Sequence, residues 1–191
     1  MRKLIVWNLI SLDGFFEGAQ PWELDWHEYV WGDELERISL EQLGSADLLL
    51  FGRATYEGMA AHWPTATGAV AERMNGIAKR VYSRTLKRAD WSNTTLVSSD
   101  AAADVARLKQ AGDGNVLIFG SARLIASLAR HDLVDEYRLV LVPVVLGRGT
   151  PHFPTAPARQ RMDLVEATPL RSGCVILLYR PLATATAPAT V

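Results

Sequence analysis

The sequence predicts an α/β domain built on a mostly parallel, eight-stranded sheet that closes with an antiparallel hairpin near its C-terminal end. Three observations carry this expectation. Apolar runs at residues 46–51 and 116–119 lack the alternation of half-exposed strands, as expected of strands covered on both faces. Each ends at a glycine that opens directly into a helical pattern, Gly52-Arg53-Ala54-Thr55 in one case and Gly120-Ser121-Ala122-Arg123 in the other. The last two apolar runs, residues 162–167 and 174–179, flank the turn-rich residues 168–173 as a hairpin.

Composition bounds the rest. A chain of 191 residues, 49% hydrophobic and 21% charged, suits one soluble domain, expected over residues 1–182 with a loose tail at 183–191 made only of Ala, Thr, Pro and Val. With 20 basic and 21 acidic residues the net charge is -1, so no overall field draws in nucleic acid or a membrane, and any anion site must be local. The longest apolar runs, such as residues 139–146, fall far below the roughly 18 to 20 residues of a membrane span, and Met1-Arg2-Lys3 leads into a strand pattern rather than a signal peptide. A cytoplasmic location is expected. The single cysteine, Cys174, excludes an internal disulfide and a cysteine-rich zinc site, and its apolar surroundings predict a buried, inert thiol. No metal site is expected.

In chain order, residues 3–9 form an apolar first strand that ends at the turn Ser11-Leu12-Asp13-Gly14. Residues 15–31 gather Phe15, Phe16, Trp22, Trp26, Tyr29 and Trp31 among acidic residues without a clean period, which predicts a long aromatic loop. Such a loop could form a wall for a flat heterocycle or a satellite cluster covering the core edge. Leu35, Ile38 and Leu43 predict an amphipathic helix capped by Asp33 and ended at Gly44. After the strand at 46–51, Arg53 and Thr55 place a planar fork of donors and a hydroxyl at a helix mouth. Arg53 could instead pair with a surface carboxylate.

A loop from His62 through Gly68 leads to a short helical stretch at residues 70–77 and a strand at 80–82. That strand runs into Ser83-Arg84-Thr85, and a further strand follows at 94–97. Asp100 caps a helix through Val105 and Leu108, and the strand at 116–119 comes next. The turn after it meets the start of a helix, whose unpaired N–H groups and positive dipole end suit an anion such as phosphate, although an ordinary strand-to-helix connection looks the same. Residues 137–146 form a long apolar strand broken by Pro143, which predicts an edge or a bulge there. Polar clusters after several strands should gather at the carboxyl edge, where open α/β sheets bind ligands.

Taken together, Ser11-Leu-Asp-Gly14, Leu50-Phe-Gly-Arg-Ala-Thr-Tyr-Glu57, Ser83-Arg84, Leu117-Ile-Phe-Gly-Ser-Ala-Arg123 and Leu141-Val-Pro-Val-Val-Leu-Gly-Arg-Gly149 resemble the dihydrofolate reductase superfamily. The closer likeness is to the branch holding the C-terminal reductase domain of the bifunctional riboflavin-biosynthesis protein and its small stand-alone relatives. The resemblance implies a three-layer sandwich binding NADPH across the carboxyl edge. Gly52, Arg53 and Thr55 would hold the pyrophosphate or 2'-phosphate side, and Ser83 with Arg84 the adenosine 2'-phosphate. Gly120, Ser121, Ala122 and Arg123 would receive the pyrophosphate, with Asp13 and Gly14 near the nicotinamide. Two cations near one ribose favour NADPH over NADH.

Two departures stand out. Dihydrofolate reductases carry Gly-Gly joined by a cis bond at the anchor turn, where this chain has Gly120-Ser121. Their pterin-holding carboxylate follows a tryptophan by five residues, and here that position is His27. No H-x-E with P-C-x-x-C occurs, so the zinc deaminase half of the riboflavin protein is not expected. The leading expectation is an NADPH-dependent reductase acting on a small polar heterocycle, pterin- or pyrimidine-like, with Asp13, Asp25 or Asp33 as proton source. The rival classes are a dinucleotide-binding sensor without turnover and an interaction domain whose residues 139–146 pair with a second copy. A homodimer is compatible with all of them.

Overall fold

The computed structural model describes residues 2–154 and 159–182; the expected tail lies outside them. In chain order the elements are β1 (Leu4–Ser11), β2 (Phe15–Glu17), α1 (Asp33–Gly44), β3 (Ala46–Gly52), α2 (Arg53–His62), α3 (Ala69–Gly76), β4 (Ala78–Tyr82) and β5 (Thr94–Val97). They continue as α4 (Ala101–Leu108), β6 (Asn115–Ile118), α5 (Ala122–Ala129), β7 (Glu136–Val142), β8 (Thr150–Pro151), β9 (Met162–Pro169) and β10 (Val175–Pro181). Eight strands form one sheet in the order β5-β4-β3-β6-β1-β7-β10-β9. Neighbours from β5 to β7 are parallel, and β10 runs antiparallel to both β7 and β9. The predicted fold class is the observed one.

Alternation along the strands builds the three layers, because successive side chains leave opposite faces of a sheet. Leu4, Val6, Leu48, Leu50, Val116 and Ile118 meet Val105 of α4 and Leu124, Ile125 and Leu128 of α5. Ile5, Leu49, Phe51 and Leu117 point the other way, onto Leu43, Tyr56 and Met74 of α1, α2 and α3. Farther along that second face, Trp7, Val140 and Val142 pack with Leu35 and Cys174. The cysteine is buried and free, as its apolar run predicts.

Four expectations are corrected. Residues 15–31 are not a loop throughout: β2 pairs with β8 as a separate two-stranded ribbon, and a single 3-10 turn spans Asp25–His27. Asp33 does not cap α1; Gly32 takes the cap position without a side-chain bond, and Asp33 stands in the first turn with Glu34 and Glu36, where carboxylates favour the positive helix end. Pro143 marks neither an edge nor a bulge, since β7 stops at Val142 just before it. Residues 139–142 of the 139–146 segment cannot add a second copy as a strand, because they lie in β7, which is flanked by β1 and β10.

The Asp100 cap is present, its Oδ1 accepting the Ala103 N–H at 2.8 Å.

Candidate active site

Register brings the glycine turns into one row. Val6 pairs with Ile118 and Ile118 with Leu50, so two residues farther on Asn8, Gly120 and Gly52 stand abreast at the carboxyl edge. Gly52 in turn pairs with Tyr82, which places Arg53 beside Ser83 and Arg84 as both chains leave the sheet. Gly120 and Ser121 both take left-handed conformations, at φ 49° and 53°. The described chain contains no cis peptide bond, so this turn replaces the Gly-Gly geometry with two trans, left-handed residues.

Side chains from three elements hold that turn. The Gly120 N–H donates to Asn8 Oδ1 at 2.6 Å, and the Ser121 N–H to Thr55 Oγ1 at 2.9 Å. Ser121 Oγ accepts the Gly52 N–H at 3.0 Å, tying β3 to the start of α5. A Cβ on Gly120 would lie 3.0 Å from Thr55 Cγ2, so the close approach requires glycine. The donors of Gly120, Ser121 and Gly52 are therefore spent inside the protein. What the turns leave unspent is the first turn of α2 and of α5, neither of which has a side-chain cap.

The cations stand outward. Arg53 is exposed and reaches Glu57 at only 3.5 Å, so the surface pairing anticipated for it exists in a weak form. Ser83 Oγ accepts the N–H of Thr85 at 3.2 Å and of Leu86 at 2.9 Å, a hydroxyl-capped turn with exposed Arg84 inside it. Arg123, on the first turn of α5, is exposed as well. Uncapped helix starts, left-handed turns and outward guanidinium groups suit a dinucleotide's phosphates in charge and donor type.

The three candidate acids separate. Asp13 Oδ1 accepts the Ser11 hydroxyl at 2.6 Å and the Leu146 N–H at 3.1 Å, while Oδ2 accepts the Gly147 N–H at 2.7 Å. The Ser11 hydroxyl and those backbone donors hold its carboxyl below the usual range, so it stays ionised and straps the first turn to the loop after β7. Gly14, beside it at φ 85°, accepts the His152 N–H through its carbonyl at 2.9 Å. Asp25 is exposed at the 3-10 turn. Asp33 opens a shallow groove along α1 with Glu36, Arg37, Leu40 and Glu41, on a different face from the buried Leu35, Ser39 and Leu43.

Part of the aromatic segment is the satellite cluster covering the core edge, one of the two readings of it. Trp26 is buried with Trp7, Leu35 and Val140, a core plug. Trp22, itself at φ 66°, lies against α2 so closely that a Cβ on Gly58 would stand 2.3 Å from its ring. A Cβ added to Gly120 would meet the Phe16 ring at 3.6 Å, and Tyr29 and Trp31 remain exposed. His27 is largely buried, and that burial pulls its pKa down to about 4.

Two residues at the turn escape a sequence reading. Asn8 is a lone polar residue within the apolar run of β1, and that interruption is the available signal. His152 follows the Gly-Arg-Gly-Thr-Pro turn and is 1% exposed, with nothing in its local pattern to announce burial.

The sequence profile of the RibD C-terminal domain matches residues 2–176. Among curated relatives, the uncharacterized protein YyaP of Bacillus subtilis strain 168 is 28% identical over 187 residues, covering 93% of this chain and 94% of its own. A solved structure assigned to riboflavin biosynthesis in Shewanella sp. PV-4 superposes with a TM-score of 0.79 at 20% identity, covering 94% of this chain and 99% of that one. Dihydrofolate reductase from Enterococcus faecalis, solved with NADP(H), shares the fold at a TM-score of 0.62 and 13% identity, covering 94% and 96%. At these identities the structural matches speak for the fold.

Proposed function

The chain belongs to the RibD C-terminal domain family, and from that membership and the carboxyl-edge geometry we propose an NADPH-dependent reductase that passes hydride to a small polar heterocycle, pterin- or pyrimidine-like. One observation carries the reading: Gly52 and Gly120 stand abreast at the sheet edge, each opening an uncapped helix, with Arg53 and Ser83-Arg84 leaving the sheet side by side. NADPH, when bound, supplies the hydride.

The protein's own residues bind and orient. Arg53 and Arg84 would hold the 2'-phosphate, with Ser83 shaping the Arg84 turn. The first turn of α5, from Ala122 to Arg123, would meet the pyrophosphate along with the start of α2. Thr55 and Ser121 act one step back, fixing the two turns against each other. Gly14 lies in the strapped turn after β1, on the side where the nicotinamide would sit.

A heterocycle would lie beside the segment carrying Phe16 and Trp22. For the proton source we favour Asp25 over Asp33, whose groove faces away from the sheet, and over Asp13, whose three hydrogen bonds keep it ionised. We place the protein in the cytoplasm as a homodimer. No described helix is long and apolar enough to cross a membrane.

The test is NADPH oxidation against a series of pterin and pyrimidine acceptors. Turnover with one ring class identifies the substrate, and Asp25→Asn should then lower kcat while leaving NADPH affinity in place. Tight NADPH binding without oxidation by any acceptor would favour the sensor reading.

A further inference from the structure

His152 sits behind the turn between β6 and α5, and its tautomer can be read from its neighbours. The Asn8 amide is oriented by Gly120: Oδ1 accepts the Gly120 N–H at 2.6 Å, and Nδ2 donates to the Gly120 carbonyl at 3.3 Å. A flipped amide would set donor against donor and acceptor against acceptor at both contacts. With Nδ2 thus a donor, His152 Nδ1 at 3.2 Å has to accept, and the ring proton belongs on Nε2. Nε2 is buried and finds no partner among the described residues, so the contact at Nδ1 alone sets the tautomer. The unpaired Nε2–H is a cost that the Asn8 contact imposes on the ring. Perpendicular packing on Phe153 at 4.5 Å and on Tyr137 at 6.5 Å keeps the imidazole in place.

We propose that His152 is a positioning residue for the dinucleotide turn: as the Nε2–H tautomer it locks the Asn8 amide in the one orientation that grips both backbone groups of Gly120. The link to the dinucleotide rests on the function proposed above, whereas the lock is a property of the free protein. Among the described residues the Asn8 amide bonds to Gly120 and His152, and Ser121, next along, holds a left-handed conformation that needs support from its surroundings. The His152 backbone N–H donates to the Gly14 carbonyl, so the ring is carried on a segment tied to the same first turn that Asp13 straps to the loop after β7.

Two variants and one spectrum test this. Long-range proton–nitrogen correlation on the free protein should show a bare Nδ1 and a protonated Nε2 for His152; a proton on Nδ1 would overturn the lock. His152→Phe keeps a ring without an acceptor, while His152→Asn sets a carbonyl oxygen near the place of Nδ1. Gly120 amide exchange should quicken about tenfold in the Phe variant, the loss of roughly one hydrogen bond, and stay near wild type in the Asn variant. NADPH Kd should follow the same split. Equal exchange in all three proteins contradicts the lock. A split in exchange with unchanged NADPH affinity upholds the lock and removes its role in binding, and a wild type that binds no NADPH fails the cofactor reading alone. If the Phe variant does not fold, the tautomer measured in the wild type still decides.

Discussion

Thr55 Oγ1 accepts the Ser121 N–H at 2.9 Å, so the hydroxyl at the mouth of α2 is anchored by the turn that opens α5. This bond joins the starts of α2 and α5 into one unit. Thr55→Val keeps the shape and removes the acceptor, leaving the N–H of a buried serine unpaired. Destabilisation of about 1–2 kcal/mol is expected, with Thr55→Ser near wild type. Chemical denaturation of the three proteins measures it.

Gly120→Ala should cost about 2 kcal/mol, because φ 49° penalises a side chain and the new Cβ would stand 3.0 Å from Thr55 Cγ2 and 3.1 Å from Oγ1. Gly147→Ala separates the two effects, since its φ of 73° carries the backbone penalty with nothing within 4 Å. A thermal melt should place it between wild type and Gly120→Ala.

Gly58→Ala tests the seat of Trp22. Alanine improves an exposed helix by up to about 1 kcal/mol, yet its Cβ would stand 2.3 Å from the indole. The ring is 37% exposed and can leave. Stability should therefore change little, while tryptophan emission shifts to the red and the heterocycle KM rises.

Two histidines set the response to acid. Burial lowers the pKa of His27 and of His152 from 6.5 to about 4, so between those values the unfolded chain binds more protons than the folded one. Stability must fall as pH drops from 6.5 toward 4, by about 1.4 kcal/mol per unit for each histidine in mid-window. Denaturation at stepped pH should show this slope, and His152→Asn should remove about half of it. Glu136 acts lower still: although burial raises its pKa, Lys3 and Arg138 hold it at about 2, and its contribution fades below 4.5.

The layered fold was legible because its causes are local. Doubly apolar runs, glycine turns and the Asp100 cap each leave a mark within a few residues, and they account for β3, β6, α4 and the closing hairpin. Family likeness singled out Gly52 to Thr55 and Gly120 to Arg123, and the structure sets both turns at the carboxyl edge. The ribbon of β2 and β8 was hidden, because it joins residues some 130 positions apart through two very short strands. Asn8 and His152 were hidden for the same reason: their meaning arises at a contact between distant elements. Asp13 was visible as a turn carboxylate, but its bonds to Leu146 and Gly147 turn a candidate acid into a strap.

The central claim is that the carboxyl edge binds NADPH through Arg53 and Arg84, and parallel titration of NADPH and NADH into wild type and into Arg53→Ala/Arg84→Ala tests it most directly. NADPH should bind wild type at least about tenfold more tightly than NADH, a difference of about 1.4 kcal/mol, and the double variant should lose that preference while still binding NADH. Equal affinity for both nucleotides in wild type, or a preference that survives loss of both arginines, would contradict it.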